Sequence, residues 1–404
     1  MSLDNHGTLS GLRVLDFSRV LAGPFCTMLL ADLGADVIKV EHPARGDDTR
    51  AWGPPWLGEG DDAQSAYFLS VNRNKRSLTL DIKTPGGQDL ARRLAAKSHV
   101  VVENFKAGQM ASFGLSYDDL RAINPALVYC SITGFGQTGP YRDRPGYDYV
   151  IQAMSGLMSI TGPEDGPPYK VGVAISDVFA GLFAATSILA AVRHSERTGQ
   201  GQSIDVALLD AQIAALVNVA SNFLVSGQTP PRFGNQHPNI VPYQTFSASD
   251  GEFVVAVGND GQFARLCAVI GRPDLRDDPR CATNPARVEH RAWLIPLLQA
   301  VFARRPAAEW VDRLLAAGIP AGPINTIPAA LGDPHVAARG LVHEIDLQAG
   351  EVLRLIGPPV RMAPDAAEVR TPPPRLGEHT DEVLRDVLGL DAEAIAAYRA
   401  AGCI

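Results

Sequence analysis

At 404 residues the chain is too long for one small core and suits two domains, or one large domain with an insertion. Its composition, 46% apolar and 20% charged, is that of an ordinary globular protein and excludes a low-complexity or fibrous chain. The net charge of −8 comes from well-mixed signs, with no basic cluster for nucleic acid and no like-charge block for a tail.

Cys26, Cys130, Cys267, Cys281 and Cys403 are scattered, odd in number and form no C-x-x-C pair. That pattern predicts reduced thiols and a cytoplasmic location. The opening MSLDNHGTLSG is polar and lacks an apolar core, so no secretory signal is expected. The longest apolar run ends at Arg193-His194 and is too interrupted for a bilayer span, so no membrane partner is expected.

Along the chain, RVLDFS (13–18) alternates as a strand, GPFCTMLLADLG (23–34) reads as a helix with Pro24 in its first turn, and ADVIKVE (35–41) is the next strand. The pattern recurs: strand 78–82, helix 86–98, strand 99–105, helix 118–125 and strand 127–136. Strands alternating with helices predict an α/β fold with a parallel sheet covered on both faces. A helix starting near Asp177 ends at RTGQGQ (197–202), followed by a short strand and one long helix in SIDVALLDAQIAALVNVAS. Residues 223–246 have loop composition and mark a crossing into a second domain. A hairpin at 246–258 turns at Asp250-Gly251, and helices follow to 318. A Pro-rich extended stretch leads to a C-terminal helix pair with Thr380 or Asp381 as its cap.

Glu41 ends a strand where a dinucleotide fold places its ribose-binding acid, but the turn SRVLAGPF lacks G-x-G-x-x-G. No P-loop or G-x-S-x-G elbow appears, and the nine histidines show no metal-ligand spacing. The feature left to explain is VGVAISDVFAGLFAATSILAAV (171–192), whose one charged residue is Asp177. An unpaired buried carboxylate is costly. One reading makes Asp177 a helix N-cap. In the other, free N–H groups and the positive end of the helix keep it ionised in a dry pocket as a nucleophile toward an activated acyl carbon. The two readings are compatible. Gly181, one turn on, gives either close helix packing or space for a ligand.

The chain resembles the class III CoA-transferases, the CaiB/BaiF or formyl-CoA transferase family, almost from end to end. The carriers are LDFSRVLAGPFCTMLLADLGADVIKVEHP, NRNKRSLTLDIKTPGG, VVENFKAG, SITGFGQTGP, VGVAISDVFAG, ERTGQGQSIDVALLDA, IPAGPINTI and LGEHTDEVL, in that order. The resemblance implies a large Rossmann-like parallel-sheet domain plus a smaller α+β domain, in an interlocked homodimer. The first part of the large domain is expected at 1–215, the small domain at 225–325, and the return to the large domain through extended linkers at 326–404. It further implies that Asp177 is the catalytic nucleophile, that an aspartyl-CoA thioester carries the acyl energy, and that no cofactor is permanently bound. Coenzyme A and acyl-CoA enter as substrates.

By the same resemblance the CoA contacts fall on Leu21, Ala22, His42, Leu80, Asp81, Ile82, Lys83, Asn104, Phe105 and Lys106. WGPPWLGEG and NIVPYQTF look closest to the succinyl-CoA:glutarate (or hydroxymethylglutarate) branch, so the expected donor is succinyl-CoA and the acceptor a short dicarboxylate. A second carboxylate needs a cation, for which Arg19 and His237 are candidates, with Arg73 in reserve. Tyr147 is a further substrate contact. An α-methylacyl-CoA racemase of the same fold is the alternative, as are formyl-CoA:oxalate and carnitine-type transfer. Racemases use a histidine where PGYDYV has Tyr147, and a phenol with a pKa of about 10 is a poor proton shuttle at neutral pH.

Overall fold

The structure is a computed structural model that describes residues 6–60, 63–347 and 351–404. The chain divides into two compact units. The first is drawn from Met1–Leu157, Val171–Leu216 and His335–Ile404, the second from Met158–Lys170 and Val217–Pro334.

The first unit is built on a six-stranded parallel sheet. Its strands are β1 (Arg13–Asp16), β2 (Asp36–Glu41), β3 (Lys75–Thr79), β4 (Val100–Glu103), β5 (Val128–Thr133) and β6 (Ser203–Ala207), in the order β3-β2-β1-β4-β5-β6. Leu15 lies opposite Ile38 on one side and Val101 on the other. Successive residues of each strand face opposite ways, so both sides are buried. Val14, Val100, Val128 and Cys130 pack with Leu30, Ala180, Ala184 and Ile188 from helices α1 (Ala22–Asp32) and α6 (Ile175–Thr198). Leu15, Ile38, Leu78 and Val101 pack with Leu90 and Leu94 of α3 (Pro85–Ala95), Leu120 of α4 (Tyr117–Arg121) and Val383 of the C-terminal Thr380–Leu388 helix. Three shorter helices complete the parts used below: α2 (Ala66–Ser70), α5 (Asp148–Met154) and α7 (Leu208–Ala214).

The chain starts in the middle of the sheet, runs outward through β2 and β3, and returns to β4 on the other side of β1. The loops leaving β1 and β4 therefore diverge at the carboxyl end of the sheet and leave a crevice between them.

Several expected elements differ. The strand expected at 78–82 runs Lys75–Thr79. Its first two residues are charged, but their charges are satisfied inside. Lys75 Nζ donates to Pro24 O at 2.9 Å and Asn72 Oδ1 at 3.0 Å and faces Asp16, while Arg76 pairs with Asp36 at 2.7 Å. The long helix expected after β6 stops at Ala214, and Val217, at φ 33°, opens a separate helix Val217–Ser226 that takes up the start of the expected loop. In the tail, Thr380 is helical rather than capping, and its hydroxyl accepts from Thr79 N at 3.0 Å.

The second unit carries a three-stranded antiparallel sheet of Ala321–Pro323, Glu252–Ala256 and Tyr243–Ser247. Its hairpin closes at Asp250-Gly251, where Ala248 N donates to Gly251 O at 2.7 Å. Phe302 sits at the centre of its core, with its ring against Phe246, Phe253 and Trp310.

Helix α6 is long and apolar enough, by length and composition, to cross a membrane. Here its Ala180, Gly181, Ala184 and Ile188 are buried in the first unit. Gly181 decides the packing. A Cβ there would sit 2.8 Å from Ala22 O and 2.9 Å from Phe25 Cδ1, so the close-packing reading of this glycine holds. Gly181→Ala is expected to destabilise the protein by roughly 1–3 kcal/mol, because the near atom belongs to backbone. The urea midpoint measures this, and an unchanged midpoint contradicts the close contact.

Candidate active site

The turn after β1 is held from several sides. Lys39 Nζ, fully buried, donates to Ser18 O at 3.0 Å and to Asp47 Oδ2 at 2.8 Å. Asp47 in turn accepts from Val20 N at 3.2 Å and from Thr49 N at 2.9 Å. Against the desolvation that would raise it, Lys39 keeps the Asp47 carboxyl down at about 2. Asn104, from the turn after β4, accepts from Arg19 N at 2.9 Å and donates to Arg19 O at 2.6 Å. Val20 sits at φ 71°, a conformation a β-branched residue adopts only under constraint. These bonds supply the constraint. The turn delivers the chain into α1, whose N-cap position is Leu21 with no capping side chain. Among the described residues, no partner is found for the N–H groups of Ala22 and Gly23.

Against this end of α1 stands the first turn of α6. Asp177 is its third residue, not its cap: the cap position is Ala174, which has no side-chain acceptor. The acceptor comes from α5 instead. Asp148 Oδ1 takes the N–H of Ser176 at 2.8 Å, and Asp148 Oδ2 takes Gln152 Nε2 at 2.7 Å. Gln152 Oε1 accepts from Val171 N at 2.9 Å, and Ser176 Oγ donates to Gln212 Oε1 of α7 at 2.9 Å. Ser176, Gln152 and Gln212 are all buried. Sequence reading missed Asp148 and Gln152. The signal was present in PGYDYV, where an acid opens a short apolar helix.

The Asp177 carboxyl has no hydrogen-bond or ion-pair partner among the described residues. Burial first, and the charge of Asp148 second, push it up from 3.8 to about 7. Burial and the neighbouring carboxylate thus act against the ionised form that the helix end favours. Burial first, then the charges of Asp177, Asp148 and Asp47, raise the phenol of Tyr67 on α2 to about 12. Trp52 holds the Tyr67 ring edge-on at 5.2 Å.

Asp177 lines a cavity of about 250 Å³ together with Arg19, Leu21, Ala22, Asn104, Phe105, Lys106 and Tyr147. A second hollow of about 130 Å³ is lined by His42, Leu80, Asp81, Ile82 and Lys83. Arg19, Phe105 and Gln109 line both, with the Arg19 guanidinium 5.2 Å from the centre of the Phe105 ring. The two hollows thus meet at the crevice between β1 and β4, and all ten expected CoA contacts lie on one or the other.

The expected cations fare differently. Arg19 is at the site, 3.1 Å from Asp48. Arg73 is buried elsewhere, bidentate on Asp32 and donating to Ile356 O at 2.9 Å. His237 belongs to the second unit, its ring 5.2 Å from Tyr243, and lines neither hollow. Arg142 and Arg144, which the sequence did not single out, line the Asp177 cavity, and Arg144 stacks 3.7 Å from the centre of the Tyr141 ring. Among the described residues, no three His, Cys, Asp or Glu side chains converge as metal ligands do.

The family model described as CoA-transferase family III matches residues 9–380. The chain is 48% identical over 388 residues to a succinate–glutarate CoA-transferase of Agrobacterium fabrum, covering 96% of this chain and 97% of that one. It is 46% identical over 401 residues to a succinyl-CoA:glutarate CoA-transferase of Mus musculus, covering 99% and 91%. The crystal structure of a CaiB/BaiF family protein from Brucella suis superposes with a TM-score of 0.83 at 46% identity, covering 95% of this chain and 100% of that one.

The raised Asp177 carboxyl has a stability consequence with a definite sign. Its pKa is about 7 in the folded chain against 3.8 ordinarily, so the folded state binds this proton more tightly than the unfolded state. Asp177 therefore costs stability increasingly as pH rises between those two values, and the full cost is present above them. Asp177→Asn is expected to match the wild type in urea midpoint at the acid end of that window and to exceed it at the alkaline end, by roughly 1–3 kcal/mol. Equal midpoints across the window contradict the shift.

Proposed function

The chain belongs to CoA-transferase family III and is a CoA-transferase, and on that premise we propose that it moves coenzyme A from succinyl-CoA to glutarate, with Asp177 as the nucleophile. The observation that carries this reading is the Asp177 carboxyl itself. It is partly buried and unpaired, in a cavity that shares Arg19, Phe105 and Gln109 with the hollow proposed for the rest of the CoA. A carboxylate without a cation is a better nucleophile than one neutralised by an arginine.

Two reversible exchanges follow. The Asp177 carboxylate attacks the succinyl carbonyl carbon; the C–S bond breaks, CoA thiolate leaves, and a succinyl–aspartyl anhydride remains. The thiolate then attacks the aspartyl carbonyl of that anhydride, releasing succinate and leaving an aspartyl-CoA thioester. Glutarate attacks the thioester through one carboxylate and expels the thiolate again. The thiolate attacks the glutaryl carbonyl, giving glutaryl-CoA and a free Asp177. One acyl bond is exchanged for another at each step, so no external energy source enters.

Each attack places negative charge on a carbonyl oxygen. The unpartnered N–H groups of Ala22 and Gly23, at the positive end of α1, are the donors for it. Lys106, Lys83, Arg45, Arg142 and Arg144 supply cations for the phosphates of CoA and the distal carboxylate of the acceptor. Helix α6 leaves Leu182 and Phe183 exposed, with Val173 before it and Ile213 on α7. A second copy of the chain is the proposed cover for this apolar surface, in a cytoplasmic homodimer.

Asp177→Asn is expected to lower succinyl-CoA:glutarate exchange by roughly 1,000-fold or more, while succinyl-CoA still binds. An amide variant with full activity removes Asp177 from the mechanism. In an acceptor panel, glutarate is expected to outrun oxalate and monocarboxylates, and a preference for either of these contradicts the assigned acceptor. Sedimentation is expected to give a dimer, and a monomer at micromolar concentration contradicts the proposed cover.

A further inference from the structure

The helix that carries Asp177 begins without a cap of its own. Ala174 occupies the position where Ser, Thr, Asp or Asn ordinarily satisfies the first N–H groups. The missing acceptor comes from another helix, through Asp148 Oδ1 on Ser176 N at 2.8 Å. Ser176 is the immediate neighbour of Asp177, so this bond fixes the backbone from which the Asp177 side chain departs. Asp148 is itself held by Gln152 Nε2 at 2.7 Å, and Gln152 also donates to Val173 O at 3.3 Å, just before the helix. The residue preceding Asp148 is Tyr147, which lines the same cavity as Asp177. One carboxylate therefore joins a wall of the cavity to the turn that carries the reacting group.

We infer that Asp148 is a positioning residue for Asp177, holding the first turn of α6 in place through Ser176 N and bringing a second carboxylate to the turn that carries the nucleophile. The inference rests on Asp177 being the nucleophile of CoA transfer. The two effects act in one direction. Fixing the turn aims the oxygens, and a second negative charge close by makes them more basic and so more nucleophilic. Burial contributes the larger part of the rise to about 7, and Asp148 is the charged contributor. Other titratable or charged groups around the carboxyl are Tyr67 on α2, Tyr147 beside Asp148, and Arg19, Asp48, Lys106, Arg142 and Arg144 along the cavity.

Two variants separate the roles. Asp148→Asn keeps an acceptor for Ser176 N and removes the charge, whereas Asp148→Ala removes both. The acid limb of kcat/KM in D148N is expected to move to lower pH by roughly 0.5–1.5 units. The D148A plateau kcat is expected to fall roughly tenfold or more below that of D148N, with KM for succinyl-CoA changed less than kcat. Infrared difference titration of the Asp177 carboxyl, with D177N as the blank, reads the same shift without turnover. A D148N titration that coincides with the wild type, or a D148A plateau equal to it, overturns the inference. A wild-type protein that moves CoA to no carboxylate, yet shows the infrared shift in D148N, instead sinks the transfer reading and leaves the coupling of the two carboxyls standing.

Discussion

One carboxyl group, kept partly from water and given no cation, is the constraint around which the first unit is arranged. Leaving a carboxyl in such a place raises its affinity for a proton, so the fold holds it against its own preference for solvent. Three contacts do this. Gly181 lets α6 settle onto the start of α1 at backbone distance, Asp148 completes the hydrogen bonding of the first turn, and Ser176 Oγ locks that turn to Gln212. The order of the parallel sheet supplies the location, because the loops leaving β1 and β4 part there and leave room for a ligand.

The opposite wall is built by a different device. Lys39, Asp47, Asp16 and Lys75 are buried charges beneath the turn that leads into α1. Such pairs contribute little net stability, since the desolvation of both partners offsets most of their attraction. What they provide is direction. Lys39 and Asp47 each reach a backbone group of the turn, and together with Asn104 they hold Val20 at a positive φ. The result brings the start of α1, with the unpartnered N–H of Ala22, to the cavity that Asp177 also lines, which is the arrangement the proposed transfer calls for.

Much of this was legible in the chain. Strands β1, β2, β4 and β5 announce themselves because apolar residues alternate or run together between turn residues. The ten residues named for CoA line two adjoining hollows. The failures share a cause. Strand β3 begins three residues before its apolar pattern does because Lys75 and Arg76 look like surface residues, and only the tertiary partners Asp16 and Asp36 make them interior ones. Arg73 reads as a free cation in the sequence for the same reason, and only the fold brings Asp32 to it. Asp177 resembled a cap because Ser-Asp before an apolar helix usually is one. The true acceptor, Asp148, lies 28 positions before Ser176 in the chain, beyond any local pattern. The break after Ala214 carries no glycine or proline to mark it.

The central claim is that the acyl group of the donor passes through a covalent bond to Asp177. Incubating the protein with succinyl-CoA, trapping with hydroxylamine or borohydride, and mapping the modified peptide by mass spectrometry tests it most directly. The account predicts a modification confined to Asp177, dependent on the donor and discharged by prior addition of glutarate. Modification at another acidic residue, or rapid exchange with Asp177 never labelled, would contradict it.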